Sequence, residues 1–177
     1  INIIVVLPKD QYPYWSKLCS EYNFSIPHMV VSGGATRFQS VRNGLDAISG
    51  SGIVGIHDGE RPFVPTSVIN TAFETASDFG NAVVAVASKD SLRVKSGNTT
   101  KSVNRSDYYS IQTPQVFKIE LIKKAFEVDE QPFFTDDASV LEYSGQKVNL
   151  VEGSYQNIKI TTKEDLVFAE GLLKIKP

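Results

Sequence analysis

The 177-residue chain has a single cysteine, Cys19, and only two histidines, His28 and His57. A lone thiol excludes an internal disulfide and leaves no thiolate cluster for zinc. Cys19 reads as a small apolar residue on a helix face. The two histidines stand too far apart to make a metal-ligand spacing. No apolar run is long enough to span a bilayer, and no signal-peptide pattern is present. Strong positive charge is also missing: 18 Lys and Arg against 20 Asp and Glu give a formal net charge of −2. That balance excludes the basic footprint of a nucleic-acid binder. Any polyanionic ligand must therefore be held by a few placed cations. The expectation is a cytoplasmic protein that acts on neither nucleic acid nor membrane.

What is present suits one domain, residues 1–177, with a sizeable core: 41% of the residues are hydrophobic. The first residue is Ile1 rather than methionine, and the chain enters a strand at once. An opening strand of this kind normally has partners on both sides, so residues upstream of Ile1 are expected in the natural protein.

Short β-branched runs alternate with amphipathic stretches. Strand-like runs are INIIVVL (1–7), HMVVSGG (28–34), GIVGIHDG (52–59), NAVVAVASKD (81–90), SIQTPQVF (110–117), KVNLVEG (147–153) and NIKITT (157–162). Several are apolar on consecutive positions, which suits a mostly parallel sheet covered on both faces. Helical stripes are formed by Phe38, Val41, Leu45 and Ile48, by Val68, Ile69, Ala72, Phe73 and Ala76, and by Leu166, Ala169, Leu172 and Leu173. The last of these helices opens on Thr161 and Glu164, which have the spacing of a capping box. Strand followed by helix, repeated, means an open α/β sheet. Residues 92–108 break the rhythm. They are polar, with Gly97-Asn98 between two short alternating pieces, and read as a projecting hairpin. A lone hairpin is unstable in water, so an arm that packs on a second subunit is favoured over a mobile loop.

In open α/β sheets, ligands bind outside the carboxyl ends of the strands. The polar clusters at those ends are SGGATR, HDGERP and SKDS, with NIKITT opening the late run. Gly33-Gly34 lets backbone approach a flat base or a phosphate, and the helix after it carries Arg37, Ser40 and Arg42 near its amino end, where the dipole favours anions. A Gly-Gly before a helix is more often just a turn. Asp58 could hold a hydroxyl or a hydrated cation, or could simply cap the turn before Pro62; for an isolated HDG the turn is the better reading. Lys159 sits inside a β-branched run, where lysines usually snorkel to water. At a ligand edge it can instead donate to a phosphoryl oxygen whose charge grows in a transition state. Arg105, leaving the hairpin, is a second such cation or a solvated surface arginine. Thr135 reads as the N-cap of the helix DDASVLEYSG, with both aspartates favourable in its first turn.

SGGATRFQSVRNGL, HDGERPFV, KDSLR, VNRSDYYSIQTPQVF, FTDDASVLEYSG and NIKITTKEDL follow one another in an order and spacing that resemble the methylerythritol phosphate cytidylyltransferases of non-mevalonate isoprenoid synthesis. The resemblance covers the chain from Ile1 onward. It implies an open, mostly parallel Rossmann-like α/β sheet with helices on both faces and a projecting β-hairpin arm. The implied activity is transfer of a cytidylyl group from CTP to methylerythritol phosphate with release of pyrophosphate, supported by a divalent cation, usually magnesium. Gly34 and Ser40 would contact the cytosine, with Ala35, Asp58 and Gly59 beside the nucleotide and Asp58 near the metal–phosphate region. Arg105 and Lys159 would position the acceptor phosphate. Thr113 and Thr135 would line the acceptor pocket. Arg61 and Ser91 would serve the neighbouring subunit of a homodimer joined through the hairpin arm.

Three departures stand out. The family's glycine-rich nucleotide loop, with its arginine and Pro-Lys pair, precedes the second strand and lies outside this sequence, as does the sheet's central strand. Ala35 stands where an acid is common. Glu60 stands where a small residue is common in HDxxRP. Two alternative readings remain: a cytidylyltransferase for another polyol phosphate, such as ribitol phosphate, which shares HD--RP, TPQ and NIK-T, and a non-catalytic nucleotide-binding module on the same scaffold.

Overall fold

The computed structural model describes residues 2–175. Ile1, where the first expected strand begins, and the last two residues lie outside the described residues. The chain divides into two compact units. One holds the residues up to Gly52 together with Ile119–Lys147; the other holds Ile53–Lys118 together with the residues from Val148 onward.

In the first unit, β1 (Ile4–Leu7) runs parallel to β2 (Met29–Ser32), with Ile4 opposite Met29 and Leu7 opposite Ser32. They are joined through α1 (Tyr12–Glu21), which carries a proline in its first turn, where a missing N–H costs nothing. Cys19 lies on α1, half-buried. The helix stops at Tyr22, and Asn23 takes a left-handed φ of 52°. α2 (Arg37–Asp46) packs on both strands and buries Phe38, Gly44 and Leu45. α4 (Ile119–Ala125) and α5 (Asp137–Tyr143) complete this unit, with Phe38 stacked on Phe126 at 4.7 Å and on Phe134 at 5.7 Å between ring centroids.

The second unit is built on a four-stranded sheet ordered β3-β7-β4-β8: β3 (Ile53–Ile56), β7 (Tyr109–Lys118), β4 (Asn81–Ala87) and β8 (Leu150–Glu152). β4 and β8 are parallel, and β7 is antiparallel to both of its neighbours. Three strands therefore point one way, as a mostly parallel sheet requires. β7 is the exception because it enters from a hairpin rather than from a crossover helix. That hairpin, β5 (Arg93–Ser96) and β6 (Thr99–Ser102), turns on Gly97 at φ 58° and is exposed along its whole length.

α3 (Thr66–Phe79) spans the residues between two natural stops, Pro65 before it and a left-handed Gly80 after it. Its Val68, Ala72 and Ala76 pack on Ala82, Val84, Val116 and Val151 of the sheet. Each fully buried valine there contributes about 1.5–3 kcal/mol relative to exposure. Asn81 through Val86 are all buried, so β4 is covered on both faces.

Four expectations need correcting. NIKITT is not a strand: residues 157–160 pair with no other strand, and Ile160 N–H donates to the Glu60 carbonyl. Thr135 is not the cap of α5. Asp136 is, because Ser139 three residues on closes a reciprocal capping box with it. At α6 (Lys163–Ile175) the box is Thr162 with Asp165 rather than Thr161 with Glu164. Of the stripe expected on α6, Ala169 is buried while Leu166 and Leu173 are exposed.

Candidate active site

In the second unit, β3 ends at Ile56 and the chain turns at once. The Arg61 N–H donates to the Asp58 carbonyl at 3.0 Å, with Gly59 and Glu60 at the centre of the turn. The turn aims Asp58 inward and Glu60 outward, and folds Arg61 back beside Asp58.

β7 supports the turn. Its register against β4 shifts between Val83 and Ala85, so Gln112, Thr113 and Pro114 bulge where Val84 alone stands opposite. Within the bulge the buried Thr113 hydroxyl accepts the Asp58 N–H at 3.0 Å and lies 3.0 Å from His57 Nδ1. His57 Nε2 lies 3.0 Å from the Arg61 carbonyl, which can only accept. In the neutral ring the proton is therefore on Nε2, and Nδ1 accepts from Thr113. His57, Asp58, Arg61 and Thr113 form one closed circuit.

The segment after β8 brings the remaining groups. Asn157, fully buried, donates to Gln112 Oε1 at 3.2 Å and to the Thr113 carbonyl at 2.8 Å. Arg61 Nη1 donates to the Asn157 carbonyl at 2.7 Å. Two residues on, Lys159 Nζ lies 3.1 Å from Asp58 Oδ2 and 3.2 Å from Glu60 Oε2. Arg61 Nε stands 3.6 Å from Asp58 Oδ2. Two carboxylates face two cations, and the cluster is neutral. Arg61 Nε and Asn157 Oδ1 are the buried side-chain polar atoms without a hydrogen-bond partner among the described residues, and both lie here. Unsatisfied buried groups are rare in ordinary structural positions.

Arg105 leaves the hairpin in a single 3-10 turn and donates to the Lys89 carbonyl at 2.7 Å, just past the end of β4. Lys89 sits over the Tyr155 ring, 3.2 Å from its centroid, and the Tyr155 hydroxyl donates to the Ala87 carbonyl. Ser91 is exposed at the foot of the hairpin.

In the first unit, the loop from β2 to α2 is held by the helix it precedes. Gly34 N–H donates to Ser40 Oγ at 3.0 Å, and Ser40 donates in turn to the Thr36 carbonyl at 2.8 Å. Ala35 N–H donates to Gln39 Oε1. Thr36 caps α2 by accepting the Gln39 N–H. Gly34 is required by space, since a Cβ there would stand 2.3 Å from that of Gln39. Arg37 makes a two-pronged ion pair with the fully buried Asp137, at 2.8 and 2.7 Å. Thr135 is exposed one residue before the α5 cap.

Sequence reasoning named Asp58, Arg61, Thr113 and Lys159, and the structure brings these four together. It missed His57, Gln112 and Asn157 as working parts. Their signal was present only as polar residues at strand ends, beside motifs already singled out. No group of three or more His, Cys, Asp or Glu that could hold a metal occurs among the described residues, and no helix there is long and apolar enough to cross a membrane.

A sequence model of 2-C-methyl-D-erythritol 4-phosphate cytidylyltransferase matches residues 1–175. The chain belongs to that family. It is 46% identical over 173 residues to a protein of that name from Bacteroides thetaiotaomicron, covering 98% of this chain and 79% of the relative. A second, from Bacteroides fragilis, is 47% identical over the same shares. Among solved structures, it is similar to the 4-diphosphocytidyl-2C-methyl-D-erythritol synthase of Anaerococcus prevotii, with a TM-score of 0.87 at 31% identity over 98% of this chain and 78% of the other. The cytidylyltransferase of Thermus thermophilus gives a TM-score of 0.82, also at 31% identity, over 98% of this chain and 82% of the other. The α/β architecture read from the sequence is that of these enzymes.

Proposed function

We propose that the protein transfers the cytidylyl group of CTP to the phosphate of 2-C-methyl-D-erythritol 4-phosphate. An acceptor phosphate oxygen forms a bond to the α-phosphorus of CTP. The bond from that phosphorus to the bridging oxygen breaks, and pyrophosphate leaves with the electron pair. The nucleophile is already an anion, so no general base is needed. The protein supplies alignment and neutralises charge between two repelling anions.

One observation carries this reading: the Lys159 ammonium is presented at the strand ends on two carboxylates, with a third N–H donor to spare. In this reading Lys159 and Arg105 bind phosphoryl oxygens, and Asp58 orients the acceptor and holds Lys159. Thr113, Thr135, Arg61 and Ser91 bind the acceptor, the last two of them in a neighbouring subunit. Gly34, Ala35, Ser40, Asp58 and Gly59 attend the nucleotide. The Ser40 proton is committed to the Thr36 carbonyl and one lone pair to Gly34. Its remaining capacity is to accept, which suits the amino group of cytosine and not the carbonyl of uracil.

Magnesium fits this donor set as an ion shared with substrate. Asp58 offers one carboxylate already beside two cations, so phosphates and water would supply most ligands. Held there by Asp58, the ion would offset phosphate charge. The exposed hairpin is the proposed arm of a homodimer, and the enzyme is proposed to be cytoplasmic.

Turnover by the purified full-length protein with CTP and each acceptor tests this reading. Pyrophosphate release with methylerythritol phosphate is expected, from a preparation that elutes as a dimer in light scattering. Activity on ribitol 5-phosphate alone would give the acceptor to the alternative polyol. No turnover with either would leave a nucleotide-binding module.

A further inference from the structure

We propose that Glu60 is a displaceable counter-anion for Lys159 that sets how readily this site takes up a phosphorylated ligand and keeps free inorganic anions out. The inference rests on reading Lys159 as a phosphoryl-binding cation.

The two carboxylates on Lys159 are not equivalent. The Asp58 side chain is only 16% exposed, lies beside Arg61, and has its backbone N–H held by Thr113. The Glu60 side chain is 58% exposed and reaches Lys159 from the outward position of the turn. Its backbone is fixed independently, because the Glu60 carbonyl accepts the Ile160 N–H at 2.9 Å. The side chain can therefore swing into solvent without disturbing the turn or the segment that carries Lys159. Asp58 cannot.

Charge decides the consequence. With Glu60 in place, Asp58, Glu60, Arg61 and Lys159 sum to zero. With Glu60 swung out, the remaining cluster carries one net positive charge. An incoming phosphoryl group takes the place of Glu60 on Lys159, so Glu60 opposes its binding. A substrate with hydroxyl contacts of its own can offset that opposition. Inorganic phosphate, which lacks them, cannot. Glu60 thus weakens both ligands by about the same factor, and only the acceptor, with contacts besides its phosphate, stays bound where bare phosphate does not.

The test is Glu60→Gln, which keeps shape and removes charge, with Glu60→Ala as a second variant of the exposed side chain. Binding of inorganic phosphate is measured by calorimetry, and steady-state kinetics are run on the full-length enzyme. Both variants are expected to bind phosphate about 3- to 10-fold more tightly and to show a KM for methylerythritol phosphate lower by a similar factor, with kcat changed less than KM. The gain should shrink as ionic strength rises from about 0.05 to about 0.5 M, and should vanish when Lys159→Ala is added, since the two residues then have nothing to exchange. Unchanged or weaker phosphate binding in Glu60→Gln overturns the inference. So does a gain that survives Lys159→Ala. The phosphate arm needs no turnover. A wild-type protein inactive on methylerythritol phosphate, with phosphate still tightening in the variant, would sink the proposed reaction and leave the counter-anion standing.

Discussion

Two ion-pair clusters in this molecule use the same chemistry to opposite ends. Arg37 and Asp137 meet through both prongs of the guanidinium, and the carboxylate is completely buried. The pair is matched and closed: it pins the start of α2, which carries Ser40, to α5, and so holds the loop carrying Gly34. Lys159, Asp58 and Glu60 meet through single contacts above 3 Å, with one carboxylate held and the other exposed. That cluster is open, and its charges can be re-partnered. A fixed fork serves position, and a point charge on a flexible stem serves exchange. Arginine stands in the first and lysine in the second, as that distinction requires.

The comparison can be broken most forcefully at Lys159. Lys159→Ala should lower kcat by about 10²–10³, the cost of removing one donor aimed at developing charge, while the melting temperature stays near wild type. Wild-type turnover would remove Lys159 from the mechanism. Asp137→Ala should do the reverse. It removes the two-pronged partner of Arg37, whose side chain is 38% exposed and so partly solvated. A loss of about 2–3 kcal/mol is expected, below the 3–5 typical of a wholly buried pair, and is read as a shift in the denaturant midpoint. No shift would mean that the closed pair is not structural.

The smallest effect belongs to Asp165, which caps α6. The Thr161 and Thr162 N–H groups on its carboxylate hold its pKa below the ordinary value. A depressed folded pKa stabilises above the unfolded value and loses that contribution as pH falls through the folded one. Asp165→Asn should therefore lower the melting temperature slightly at neutral pH. The difference should close in acid, below the ordinary aspartate range. A difference that persists there would assign the effect to shape rather than charge.

Much of the frame was legible because its punctuation is local. α3 runs from Pro65 to Gly80, β4 is an unbroken apolar run, and the hairpin turns at its glycine. α1 was legible only through Cys19: its apolar face of Tyr12, Trp15, Leu18 and Cys19 is half-buried, with no residue buried outright. The caps at Asp136 and Thr162 were misread by one residue each, since neighbouring residues could all cap and only the partner three positions on decides. NIKITT has the composition of a strand. Its backbone is tied instead to Glu60 and its first side chain to β7, contacts spanning 44 to about 100 residues that no local pattern announces. For the same reason Asp58 and Lys159 could be suspected singly from the sequence, while their pairing, and the place of Glu60 on it, could not.

The foundation beneath Lys159 is made of carboxamides. Gln112 and Asn157 knit the bulge of β7 to the segment that carries the lysine without a formal charge between them. Such groups neither gain nor lose protons in water, and dissolved electrolyte scarcely touches them. Acidity and salt can therefore retune the ions resting on this floor while the floor itself keeps its shape.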